Sequence, residues 1–214
     1  MNEFEAIVIL AAVFIIAYIV GAFRNRQLLV KYSKIVKKQL QPKSEYVGFR
    51  PLGSSGLRVL SNMNKEAPLS RMEIAISLVD RENIMHYPLT LITKEHDRLT
   101  VWGFLRVKPA FSLEVYSRIG RPFQKRSQEL KLKDTTMGQG EIKKFFHVTS
   151  SNEIKARDML CDDEFAGSLL HAKDFLRYLL VNEAESHIFL TGKLTEQSLG
   201  PLLDIVMASG RRTG

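Results

Sequence analysis

His86, His96, Asp97, His147, Cys161, Asp162, Asp163, His171 and His187 are the side chains from which a metal or catalytic site would have to be assembled. Metal binding and acid–base chemistry both need such groups to converge on one point. The sequence signatures of convergence are short fixed spacings such as HExxH or CxxC, and none is present. A membrane-tethered enzyme using scattered His, Asp and Cys residues is therefore an alternative that only the fold could assemble. His96-Asp97 reads more simply as part of a hairpin turn. Asp162 and Asp163 follow Cys161, and their charges oppose thiolate formation rather than promote it. Asp158, Asp162, Asp163 and Glu164 lack the glycine and alternating ligands of a calcium loop and read as the charged end of a helix. Gly53-Ser54-Ser55-Gly56 lacks both the GxxxxGK[ST] spacing and the lysine of a phosphate loop. The expectation is a noncatalytic protein without a cofactor.

The elements that would carry any site begin with a hydrophobic stretch. Residues 6–23, AIVILAAVFIIAYIVGAF, contain no charge. At 1.5 Å rise per residue they make about 27 Å of helix, close to the hydrocarbon thickness of a bilayer. Glu3 and Glu5 stand where a signal peptide would carry its basic region, so the segment is expected to be a retained anchor. Arg24, Arg26, Lys31, Lys34, Lys37, Lys38 and Lys43 follow it, with no acid before Glu45. The positive-inside rule then puts the N-terminus outside or in a lumen and the remainder in the cytosol. These seven cations against two acids leave +3 of the total charge of +8 for residues 44–214, so most of the excess is juxtamembrane. Arg24, Arg26, Lys31, Lys34, Lys37 and Lys38 are the candidate contacts for anionic lipid or a ribosome. Ala12, Ala17 and Gly21 are small enough to admit close packing of another helix.

Residues 24–41 lack Pro and Gly, and Leu28, Leu29, Tyr32, Ile35, Val36 and Leu40 recur at helical spacing against a lysine-rich face. That helix either continues the anchor or lies at the interface. Gln41-Pro42 stops it, and Gly48 to Gly56 reads as a turn-rich entry to the next unit. Strands are expected at 57–60, 72–78 and 111–115, with 89–93 and 99–107 forming a hairpin around residues 94–98. Residues 118–141 read as a charged exposed loop or short helix. A strand at 145–149 precedes a helix capped by Ser151, then a helix over 168–182, a strand over 186–191 and a helix over 196–208. Together these give an α+β fold: a transmembrane helix followed by a domain with a mainly antiparallel sheet and packed helices. The divisions are 1–23 for the tail and anchor, 24–43 for the basic amphipathic helix, 44–210 for the domain and 211–214 for the tail. The single cysteine leaves no intramolecular disulfide available, in keeping with a reducing compartment.

The stretch from Asn25-Arg26 through Tyr32, and from Leu40 to Tyr46-Val47-Gly48, resembles the post-membrane segment of the calumin family. Members of that family are subunits of the PAT intramembrane chaperone complex of the endoplasmic reticulum. Phe175-Leu176-Arg177-Tyr178 followed by Glu185-Ser186-His187-Ile188-Phe189 is similar to a helix and strand of the same family's cytosolic domain. The similarity extends over most of residues 5–192. This chain departs from the family in lacking its long acidic luminal region and charged C-terminal coiled coil, so neither luminal calcium binding nor that family's ribosome contact is implied. The resemblance implies a translocon-associated accessory factor in membrane-protein insertion, with a membrane-protein partner and no catalytic residue. With it, the leading expectation is a single-pass adaptor or scaffold. Besides the scattered-site enzyme, a second alternative is a basic collar that recognises anionic lipid or ribosomal RNA. DNA is not an expected partner.

Overall fold

The structure, a computed structural model, describes residues 2–118, 132–134 and 140–213. Its first element is a single helix, α1 (Glu3–Leu40), of 38 residues. That corresponds to about 57 Å, twice what a bilayer core needs. The backbone N–H of Asn2 donates to the Glu5 carboxylate at 3.0 Å. Acids in the first turn and Lys37 and Lys38 in the last complement the helix dipole. The two halves of α1 have opposite surroundings. Residues 7–16 and 18–20 are exposed on every side. Gly21, Asn25, Leu29, Tyr32, Val36 and Leu40 form a buried stripe at three- and four-residue spacing. The amphipathic segment is thus a direct continuation of the apolar one, and its buried stripe is part of the domain core.

After a 3₁₀ turn (Gln41–Lys43) the chain forms β1 (Ser44–Leu52), β2 (Gly56–Met63), β3 (Leu69–Ser77), the short helix α2 (Tyr87–Thr93), β4 (Arg98–Leu105) and β5 (Leu113–Ser117). It continues through β6 (Lys133–Asp134), a helical turn α3 (Ile142–Phe145), β7 (Phe146–Ser150), α4 (Glu153–Cys161) and α5 (Asp163–His171). The last elements are β8 (Leu176–Asn182), β9 (His187–Lys193) and α6 (Leu199–Arg212). Among the described residues nine strands make one sheet in the order β1-β2-β3-β4-β9-β8-β5-β7-β6. Every neighbouring pair is antiparallel. The expected α+β class is therefore found. Leu57 and Val59 of β2, Ile74 and Ile76 of β3, and Leu99 and Val101 of β4 are all buried on one face. Helices α1 and α6 pack on that side. Each such side chain removed from water stabilises the fold by about 1.5–3 kcal/mol. The alternate residues of these strands carry Arg58, Glu73, Arg98, Thr100 and Trp102 to the other face.

Three expected elements differ. Residues 87–93 are helix α2 rather than one arm of a hairpin, and β4 pairs instead with β3 and β9. Pro88 in the first turn forfeits no helical hydrogen bond there, and Lys94 closes the helix in the left-handed region at φ 53°. The helix expected over 168–182 ends at His171, and residues 176–182 are the central strand β8. Burial on both faces gives β8 a continuous apolar run, which lacks the period-two signal of a half-exposed strand. Residues 44–52 are a strand rather than a turn-rich entry, with Pro51 tolerated because β1 is an edge strand. The turn itself is confined to Gly53, at φ 71°, and the two serines after it.

Smaller differences follow the same logic. Asn152, not Ser151, caps α4, its side chain accepting from the Lys155 N–H at 3.2 Å. Gly200-Pro201 does not interrupt α6, because both lie in its first turn, where N–H groups have no intrahelical partner. Most of the expected charged loop at 118–141, including Arg121, Lys125, Arg126 and Lys131, lies outside the described residues.

Candidate functional site: membrane junction and cationic cleft

The helix meets the domain where its apolar run ends. A Cβ on Gly21 would stand 2.2 Å from the carbonyl oxygen of Arg81 and 2.7 Å from the Cα of Glu82. Both obstacles are backbone, so only glycine allows the segment between β3 and α2 to lie directly on α1. One turn further, Asn25 is fully buried and donates from Nδ2 to the Val79 carbonyl at 3.1 Å. Its Oδ1 accepts from Arg81 Nη1 at 3.0 Å. The Arg81 guanidinium also grips Asp97 through two parallel bonds of 3.0 Å. Asp97 in turn accepts from the Val79 backbone N–H at 2.8 Å. Four groups from three segments thereby satisfy one another in a part-buried site, the condition under which such a network specifies geometry. Tyr32, two turns below, has its phenol pushed up from 10.0 by burial first and by the Asp97 charge second.

Beside this junction lies an open cleft of about 640 Å³. Thr93, Lys94, Glu95, His96, Asp97 and Arg98 form one wall, running from the end of α2 into β4. Arg177 of β8 and Phe189, Thr191 and Lys193 of β9 contribute the other. Strand register explains the convergence. Arg98 pairs with Lys193 and with Ser77, and Leu176 pairs with Gly192, so Arg98, Arg177 and Lys193 sit at one end of the sheet. Lys94, Arg98, Arg177 and Lys193 line the cleft together with the acids Glu95 and Asp97, and Asp97 is held by Arg81. The imidazole of His96 is held below its usual 6.5, by burial first and then by Lys193 and Arg177. Four cations against two acids leave the lining of the cleft net positive.

The remaining expected site residues are dispersed. Arg24, Arg26, Lys34, Lys37 and Lys38 lie along the outer faces of α1, away from its buried stripe. Lys31, exposed, pairs with Glu196 at 2.5 Å, and so ties α1 to the loop before α6. Ala12 is exposed and Ala17 half-buried. Gly21 packs against this chain's own segment at Arg81–Glu82, which occupies the space expected for a partner helix. His86 faces Glu95 at 3.6 Å and His187 faces Glu185 at 3.1 Å, while His147 stacks on Tyr116 with centroids 4.8 Å apart. Among the described residues no three His, Cys, Asp or Glu side chains are grouped closely enough to hold a metal. Asp162 caps α5 by accepting from the Phe165 N–H at 3.0 Å, and Asp162 and Glu164 pair with Arg212 and Arg211 of α6. The acidic run is a helix end, as its sequence indicates.

Two features escape sequence reasoning. Asp97, expected in an exposed turn, is 8% exposed and organises the junction. Glu114, in the middle of β5, is fully buried and accepts from Tyr178 Oη at 2.7 Å and Thr149 Oγ1 at 3.1 Å. Alternation marks Glu114 as outward-facing, and nothing local in the sequence announces that donors from two other strands meet it.

No family model matches the chain, and no curated protein does. Among solved structures the chain is similar to the mycobacterial trehalose monomycolate transport factor A, at 10% identity and a TM-score of 0.41, over 79% of this chain and 71% of that one. At that similarity neither residue roles nor function carry over.

Proposed function

We propose that the protein is a single-pass, membrane-anchored adaptor that binds another protein and catalyses no reaction itself. One observation carries this reading: the helix apolar enough to cross a bilayer is continuous with a buried stripe of the domain core. An anchor on a flexible linker only raises local concentration. An anchor built into the core also fixes the height and orientation of the sheet above the membrane, which is what a docking platform for another membrane protein requires. The cations after residue 23 favour a cytosolic domain and an outer or luminal N-terminus. Arg24, Arg26, Lys34, Lys37 and Lys38, exposed along α1, are the proposed contacts for anionic headgroups or a ribosome. The calumin-like segments favour the translocation channel and its insertion factors as the partner. Purification from native membranes in mild detergent tests the reading. A stoichiometric membrane-protein partner is expected, and a protein that remains solitary across expression levels contradicts it.

A further inference from the structure

We infer that the segment from Ile84 to Lys94, with the cleft beside it, is a second membrane contact: Met85, Leu89 and Ile92 enter the headgroup–acyl boundary while Lys94, Arg98 and Lys193 take the phosphate of an anionic phospholipid. The inference rests on the reading that α1 spans a membrane. The first ground is height. Contact between Gly21 and the Arg81–Glu82 backbone pins the segment before α2 at the level where the apolar run of α1 ends, two residues before its last member, Phe23. If residues 6–20 lie in hydrocarbon, α2 cannot be far from the bilayer surface. The Asn25–Arg81–Asp97 network closes the contact on the domain side.

Exposure is the second ground. Met85, Leu89 and Ile92 are 74%, 55% and 77% exposed. Thr90, a small polar residue between them, is buried instead, with its hydroxyl donating to the Tyr87 carbonyl at 2.6 Å. A helix on the surface of a soluble domain shows the reverse pattern, apolar inward and polar outward. Leu52, 49% exposed, lies at the same end of the sheet, since it pairs with Gly56 and Gly56 with Ser77. Apolar side chains at the water boundary with cations just behind them are the composition of interfacial segments. Charge supplies the third ground. Lys94 follows α2 directly and lines one cleft with Arg98 and Lys193, which strand register pairs with each other. Cations held this close to a bilayer are attracted by the negative surface potential of anionic lipid.

The test uses the full chain in nanodiscs, with Cys161→Ser as background and single nitroxide labels at Leu89→Cys, Phe14→Cys or Ile154→Cys. Collision with oxygen against a water-soluble nickel chelate reads depth. The label at 14 should be lipid-exposed and that at 154 water-exposed in every disc. In discs containing phosphatidylglycerol the label at 89 should prefer oxygen, as at 14, and in pure phosphatidylcholine it should move towards water. Lys94→Gln, Arg98→Gln and Lys193→Gln together should abolish that difference between lipids. A label at 89 that behaves like 154 in both discs, with 14 still in lipid, overturns the contact while leaving the anchor standing. Water exposure at both 14 and 89 removes the anchor, and this contact with it.

Discussion

Gly21 shows how much one hydrogen atom can decide. Any side chain there collides with backbone that cannot rotate away, so Gly21→Ala should lower stability by about 1–3 kcal/mol, seen as a lower thermal midpoint in detergent. Replacing Ala12 by a larger apolar residue, where the helix is bare, should leave the midpoint unmoved. Asp97→Ala leaves Arg81 in a part-buried site without its carboxylate, for which about 3 kcal/mol is the expected loss. His96 gives a pH signature. Its imidazole is depressed by burial and by Lys193 and Arg177, opposed by the Glu95 backbone and Asp97. The folded protein therefore binds fewer protons than the unfolded chain below about pH 6.5. The contribution of His96 to stability is complete above that pH and is lost as pH falls through its folded midpoint. An NMR titration should place that midpoint below 6.5, and Lys193→Gln should raise it; a midpoint that is not depressed contradicts the account of the cleft. Asp97 and Glu114 are hidden in the sequence for one reason: their partners lie on other segments, and polar alternation looks the same whether the face is wet or closed by donors.

Helix α1 is the most legible element, because an uncharged run from residue 6 to residue 23 followed by an amphipathic pattern is a long repetitive signal. Its fusion into one rod is not legible, since both a continuous and an interfacial helix satisfy the same spacing. The strands β2, β3, β5, β7 and β9 are readable from alternation or from β-branched and aromatic content. Failures come where a signal is degenerate. In α2, Leu-Thr-Leu-Ile-Thr has strand-like composition, and its helix is decided by the junction at either end. In β8, burial on both faces removes the period that separates strand from helix. Continuity of α1 can be tested at an exposed site. Val30→Pro should cost about 3 kcal/mol by removing a hydrogen bond and kinking the rod, whereas Val30→Ala should change stability by less than about 0.5 kcal/mol. Equal thermal midpoints for the two variants would show that the rod is not needed to hold the domain.

At the scale of the molecule, an apolar rod is rooted in a nine-stranded sheet, and the proposed role as a platform at fixed height follows from that junction. Its single cysteine, Cys161, is exposed at the end of α4 and reports sidedness without an added label site. A membrane-impermeant maleimide should modify it in inverted vesicles and spare it in right-side-out ones; the reverse pattern would invert the orientation argued from the cations. The adaptor reading itself is tested most directly by crosslinking the protein in its native membrane and mapping the products by mass spectrometry. Reproducible crosslinks from the domain and from residues 24–43 to one channel, insertase or ribosomal neighbour are the predicted result. Reproducible contacts with none of these, or lipid contacts alone, would contradict an adaptor at the insertion machinery and leave an anchored domain of another kind.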